Sequence, residues 1–241
     1  MLFLCTDFGY NGPYVGQMKA VAADQVPTCK IVDLIHDLPK FNIRAASYFV
    51  AALVDQLPLD CIVVTVVDPG VGGQRKPVVL RADHRWIVGP GNGLMDVIAK
   101  HAGSVRYHEI TYHVEKLSAS FHGRDLFMPV ALNIYTENSS EQMFVPMDTP
   151  DLSHVETELA EVIYIDGFGN LMTGLRADLH VNTRFMNYKG EKIQRARTFS
   201  DKSPGEALFY ENSQGLLEIA VNCGNAKQKF NAEIGDALSF T

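Results

Sequence analysis

Asp7 follows the first apolar run and precedes Gly9, in Thr6-Asp7-Phe8-Gly9. That context places its carboxylate at the carboxyl end of a buried strand, where open α/β sheets hold their ligands. A carboxylate there can accept two hydrogen bonds from a vicinal diol; its plainer reading is a cap or turn acid. Asp68 repeats the arrangement after a third apolar run, in Asp68-Pro69-Gly70-Val71-Gly72-Gly73, with Arg75 just beyond. Proline and glycine bend the chain enough for the guanidinium to return to the acid, and alone this reads as a surface ion pair. Gly89-Pro90-Gly91-Asn92-Gly93 is another strand-to-helix loop, whose small residues let a ligand approach backbone amides closely. Phe121-His122-Gly123-Arg124-Asp125 puts an imidazole and a guanidinium at a helix start, with Asp125 in the favourable first turn. Asp166-Gly167-Phe168-Gly169-Asn170 has the glycines of a hairpin turn and also gathers a carboxylate, an aromatic face and an amide.

The elements that must position these groups follow from hydrophobic period. Residues 1–6, 30–35 and 61–67 read as buried strands, and residues 13–26, with proline at the start, and 42–56 as helices. Shorter strands are expected at 77–82, 85–88 and 105–110, and helices at 94–101 and 125–135. The βα alternation predicts an α/β layer sandwich with a mostly parallel sheet over residues 1–145. From 136 to 161 the composition shifts to Ser, Glu, Pro, Thr and Asp, which suits an exposed connection between domains. Short alternating segments with frequent glycine then predict a C-terminal all-β, barrel-like domain over residues 158–241.

Composition narrows the function classes. The chain has 241 residues and a net charge of -7, with its 21 Lys and Arg in no basic stripe, which argues against nucleic acid as a partner. The first residues lack a basic segment, and no apolar run approaches the ~18 residues of a membrane span, so a cytoplasmic location and no membrane partner are expected. Cys5, Cys29, Cys61 and Cys223 lie far apart with no C-x-x-C, which predicts buried thiols and neither structural zinc nor a disulfide framework. Asp7-Phe8-Gly9 spells a kinase signature, but the other kinase motifs would have to precede residue 7. His108-Glu109 with His113 has the wrong spacing for two zinc ligands on one helical face, and these are expected to be surface histidines. Asn138-Ser139-Ser140 fits a glycosylation pattern without a secretory route.

Taken together and in order, these motifs, with Asn212-Ser213 and Ala220-Val221-Asn222, resemble the S-adenosylmethionine (SAM) hydroxide adenosyltransferases, relatives of the fluorinases and chlorinases. The resemblance runs over essentially the whole chain. It implies a SAM hydrolase, giving adenosine and methionine with SAM as substrate and no cofactor or metal. It also implies a homotrimer whose sites lie between the N-terminal domain of one subunit and the C-terminal domain of its neighbour. Residue by residue, Asp7 matches the acid on the ribose hydroxyls, and Asp68, Arg75 and His122 match the group that binds and activates water. Phe41 and Phe121 match apolar residues around the ribose and sulfonium. Asp166 and Ser213 match contacts to the methionine amine and carboxylate, and Asn170 an adenine contact; Phe8 and Val221, from the same motifs, complete the expected binding set. Gln214 departs from the family pattern, in which serine or arginine is frequent.

The chemistry agrees with this assignment. Sulfonium supplies a neutral leaving group, so the demanding step is to align a water opposite the C–S bond and remove its proton. Asp68 can accept the proton or orient the water, Arg75 can stabilise hydroxide character, and His122 can complete the hydrogen-bond set. A SAM-dependent halogenase and a non-catalytic SAM- or nucleoside-binding protein stand as alternatives, the first opposed by Asp68, whose charge repels a halide.

Overall fold

The computed structural model describes residues 1–137 and 143–240. They form two compact units, Met1–Val155 and Glu156–Thr241. The first carries β1 (Leu2–Thr6), α1 (Tyr14–Gln25), β2 (Ile31–Ile35), α2 (Ile43–Asp55), β3 (Ile62–Val66), β4 (Pro77–Ala82), β5 (Arg85–Pro90), α3 (Asp96–His101), β6 (Val105–Ile110), α4 (Met128–Tyr135) and β7 (Phe144–Met147). Every residue of β1 and β3 is buried, as their unbroken apolar runs require of strands covered on both faces. Asn42 caps α2 by accepting a 3.0 Å hydrogen bond from the Ala45 amide. Leu2, Leu4, Met18, Val64, Phe127 and Val130 belong to one core cluster.

The sheet order is β2-β1-β3-β5-β4-β6-β7. It is mixed rather than mostly parallel. The β2-β1-β3-β5 half is parallel, but β4 is antiparallel to β5 and β6, and β6 to β7. The reason is loop length: only Asp83 and His84 separate β4 from β5, too little chain for a helical crossover and enough for a hairpin. The expected exposed connection at 136–161 contains β7, which pairs with β6 along the sheet edge. Asn138-Ser139-Ser140 lies outside the described residues. His108 is not a free surface histidine: it sits on β6, half-buried, its ring 5.2 Å from that of Phe144 and 6.3 Å from that of Trp86. The helix expected at 125–135 starts earlier, with a π-helical turn at Gly123–Phe127 running into α4.

The second unit holds β8 (Leu159–Ile165), β9 (Leu171–Arg176), β10 (Phe185–Tyr188), β11 (Glu191–Arg195), β12 (Ala207–Glu211), β13 (Leu216–Val221), a short helix α5 (Ala226–Phe230) and β14 (Ser239–Phe240). Its sheet order is β14-β10-β11-β12-β13-β9-β8. The segment leading into β14 hydrogen-bonds back to β8, through Val162 N to Asp236 O at 2.9 Å and Leu238 N to Ala160 O at 3.0 Å. The sheet therefore nearly closes on itself, and Leu171, Tyr188, Phe209, Leu217 and Ile219 fill its interior. Cys5 and Cys61 are buried and Cys223 is exposed; all four cysteines are free.

Gly89, on β5, has a packing role. A Cβ there would stand 2.4 Å from the Thr65 carbonyl oxygen on β3, so a larger residue must push the two strands apart. Gly89→Ala is expected to destabilise the protein by about 1–3 kcal/mol, the usual range for overpacking. A lower urea midpoint at unchanged slope checks this, and an unchanged midpoint contradicts it.

Candidate active site

Because β1 and β3 are parallel neighbours in register, with Thr6 opposite Val66, both deliver an acid to the same sheet edge. Asp7 immediately follows β1, and its amide donates to the Val66 carbonyl at 3.2 Å. Asp68 follows β3 after Val67 and begins two tight turns, Val71 N to Asp68 O at 3.2 Å and Gly73 N to Gly70 O at 3.0 Å, which bring Arg75 back. Arg75 Nε donates to Asp68 Oδ1 and Oδ2 at 3.1 and 3.0 Å, and Nη2 donates to Oδ2. The side chains of Asp68 and Arg75 are only 4% and 11% exposed, so this is not the surface ion pair of the plainer reading.

His122 joins the pair. Arg75 Nη2 lies 2.8 Å from His122 Nδ1, and since a guanidinium only donates, Nδ1 accepts. The imidazole is then neutral, with its proton on Nε2. Burial, and next the Arg75 charge, lower its pKa below the usual histidine value. The approach of the two loops depends on Gly72: its φ is 75°, and a Cβ there would fall 2.3 Å from the Ala119 carbonyl oxygen, just ahead of His122. Asp125 steadies the same segment by accepting from the Ser118 amide at 2.9 Å.

Asp7, Phe8, Phe41, Asp68, Phe121 and His122 all line one cavity of about 520 Å³. Arg75 does not; it links Asp68 to His122 away from the cavity lining. Burial raises the Asp7 carboxyl above its ordinary range, opposed by the Phe41 amide, 3.4 Å from Oδ2, and by Lys40, while the charge of Asp68 adds to the rise. The rings of Phe8, Tyr14 and Phe121 stack in a cluster with centroids 5.3–5.8 Å apart. Sequence reasoning missed Tyr14, whose only signal is an aromatic in the first turn of a helix beside the Asp7 loop. The Gly89–Gly93 loop does not present amides to this cavity. Asn92 Nδ2 instead donates to the Val67 carbonyl at 2.9 Å, and its Oδ1 accepts from the Leu94 amide, which braces the residue preceding Asp68.

The second unit has its own cavity, of about 700 Å³, and Asp166, Phe168, Asn170, Ser213, Gln214 and Val221 are among its lining residues. Asp166 holds the turn it sits in: Oδ1 accepts from the Phe168 and Asn170 amides at 2.9 and 2.8 Å, and Oδ2 from Asn170 Nδ2 at 3.0 Å. Glu218, also on this wall, was missed. It is 2% exposed, accepts from Tyr210 Oη and from Asn212 Nδ2, and its carboxyl is pushed up by burial, with Asp166 adding to the rise. Its signal was a lone acid inside the apolar strand Leu216–Val221. Among the described residues, no group of three or more His, Cys, Asp or Glu is arranged to hold a metal ion, and no helix is long and apolar enough to cross a membrane.

The first unit is thus an α/β unit with paired acids at its strand ends, and the second a barrel-like unit with a cavity of its own. Family models for the SAM hydroxide adenosyltransferase N-terminal domain and C-terminal domain match residues 2–144 and 160–239. The chain belongs to the SAM hydroxide adenosyltransferase family. An (R)-S-adenosyl-L-methionine hydrolase from Thermus thermophilus is 34% identical, over 97% of this chain and 96% of its own. The crystal structure of an uncharacterized conserved protein from Thermotoga maritima superposes with a TM-score of 0.90 at 31% identity, covering 99% of both chains. A fluorinase from Nocardia brasiliensis is a more distant relative, at 19% identity over 95% of this chain and 93% of its own.

The neutral His122 has a measurable signature. Nitrogen NMR is expected to show the Nε2–H tautomer and a titration midpoint below the ordinary value near 6.5. Since the folded pKa is lowered, the unfolded chain binds more protons between the two values, so this group costs stability as pH falls through that window. A raised midpoint or an Nδ1–H tautomer would contradict the hydrogen-bond assignment.

Proposed function

We propose that this chain hydrolyses SAM to adenosine and L-methionine by attack of water on the ribose 5′ carbon. The observation that carries the reading is the Asp68–Arg75–His122 chain, whose two outer members face the cavity that Asp7 also lines. Asp68 is clasped by Arg75 yet keeps lone pairs for a water and its departing proton. His122 offers an Nε2–H to the same water, and Arg75 fixes both partners and supports developing hydroxide character. Asp7 takes the ribose diol, with Phe8, Phe41 and Phe121 around the sugar and sulfonium. Asp166, Asn170, Ser213 and Val221 hold the amino acid and adenine from the barrel-like unit. Relatives named for the (R) sulfonium epimer support that epimer as the substrate here. No metal or cofactor takes part in this scheme, because the leaving thioether needs neither protonation nor a Lewis acid. Halogenation is disfavoured by the carboxylate beside the nucleophile position.

The active unit in this reading is a homotrimer, each site completed by the neighbouring subunit. Phe41, 75% exposed on one cavity, and Phe168, 79% exposed on the other, support it, because a neighbouring subunit seated on each cavity would cover both rings. The same reading places the enzyme in the cytoplasm, where free thiols stay reduced.

In isotopically labelled water the label is expected in the adenosine 5′-hydroxyl, with turnover unaffected by chelator; label confined to methionine rules the scheme out. Asp68→Asn should lower single-turnover cleavage by roughly two to four orders of magnitude, the range for a positioned base, with SAM binding little changed. Unchanged cleavage would remove Asp68 from the mechanism. Mixing inactive Asp7→Ala and Asp166→Ala chains under subunit exchange should restore activity; no recovery despite demonstrated exchange places the site within one subunit.

A further inference from the structure

Behind Asp7 lies a second hydrogen-bonded chain that the mechanism above does not use. Thr6 and His36 are both 0% exposed. Thr6 Oγ1 lies 2.8 Å from His36 Nδ1 and also accepts from the Phe8 amide at 3.3 Å. His36 Nε2 lies 3.1 Å from Asp33 Oδ1, somewhat off the line of a well-directed hydrogen bond, and Lys19 pairs with the other Asp33 oxygen at 2.5 Å. The order hydroxyl, imidazole, carboxylate is that of a hydrolase triad, but the hydroxyl is sealed from any ligand, which excludes a nucleophilic role. A carboxylate beside Nε2 favours the proton on that nitrogen. With the proton on Nε2, Nδ1 accepts from the Thr6 hydroxyl, whose lone pair takes the Phe8 N–H. The backbone is tied to the same histidine, Gly9 N donating to His36 O at 2.6 Å and Leu38 N to Thr6 O at 3.1 Å. Every one of these bonds flanks Asp7 without touching its carboxylate.

We propose that His36 is a positioning residue: through Thr6 it fixes the Thr6-Asp7-Phe8 turn, and so the direction in which the Asp7 carboxylate meets a vicinal diol. Asp7 and Phe8 form a short irregular stretch between the end of β1 and Gly9, whose φ is 75°, so the direction of the Asp7 side chain depends on the bonds that hold this stretch. Losing the Thr6–His36 bond frees the turn and leaves a buried polar atom unpaired. The cost falls on diol recognition, while Asp68, Arg75 and His122, held by their own bonds, keep their geometry.

This inference rests on the reading of Asp7 as the ribose ligand, and the test separates the two. SAM and its 2′,3′-dideoxy analogue are compared by equilibrium binding and single-turnover cleavage in wild type, His36→Gln, Thr6→Val and Thr6→Ser, with thermal melting of each. Thr6→Val keeps shape and removes only the hydroxyl, so it carries the test if His36→Gln does not fold; Thr6→Ser restores the hydroxyl. The expected result is about tenfold weaker SAM binding in His36→Gln and Thr6→Val, recovery in Thr6→Ser, and cleavage of bound SAM within about twofold of wild type. The dideoxy analogue should bind all four proteins alike. Equal losses for SAM and the analogue, or no loss for either, overturn the positioning role. A wild-type protein indifferent to the diol overturns the reading of Asp7 itself, and the proposal with it.

Discussion

A carboxylate as deeply enclosed as Asp68 needs a cation and well-directed hydrogen bonds in place of water, and the Arg75 clasp provides both. Much of the local chain serves that contact. The turns after Asp68 return the arginine within seven residues. Gly72, with positive φ and no Cβ, lets this loop press on the segment that carries His122. The guanidinium, having satisfied the acid, still has an N–H for the imidazole, and because it can only donate it decides which imidazole nitrogen keeps the proton. One ion pair thus fixes the orientation of two groups on the cavity wall and the tautomer of one.

The sheet supplies the next layer of control. Two parallel strands in register put Asp7 and Asp68 at one edge, where their like charges contribute to the raised pKa of Asp7. Strand β5, beside β3, approaches closely because Gly89 has no side chain. The loop that follows sends Asn92 back to the Val67 carbonyl, so a motif that looks like a ligand cradle braces the residue next to Asp68. The π-helical turn after His122 belongs to the same design, since it joins the imidazole to the buried helix α4.

The acids, the arginine return and the histidine were legible in the sequence because each stands beside a turn signal at the end of an apolar run. The parallel half of the sheet was legible for the same reason, its strands being long, apolar and separated by helical periods. On the antiparallel flank the strands β4 and β6 were legible but the consequence of the two-residue link between β4 and β5 was not drawn, and strand β7 was hidden in a segment whose composition is that of a linker. Tyr14, Glu218 and the Asn92 brace escaped notice because their meaning depends on contacts across 107, 8 and 25 positions of chain: the Tyr14–Phe121 ring stack, the Glu218–Tyr210 bond and the Asn92–Val67 bond. Only Glu218 left a trace, as an acid where the strand pattern calls for an apolar residue.

That acid also bears on the kind of ligand the barrel-like unit can hold. Its cavity lining includes Asp166 and Glu218 but no lysine, arginine or histidine. Asp166 spreads its charge over three donors from its own turn, and Glu218 over a tyrosine hydroxyl and an amide. Neither arrangement contains a full positive charge. Burying Glu218 without a countercharge is costly, and the rise in its pKa, to which the nearby Asp166 adds, expresses that cost. A ligand bearing its own cation relieves it, whereas an anion adds to it. In the proposed reading the amino-acid end of SAM enters this cavity, and its ammonium is the cation that meets the two acids.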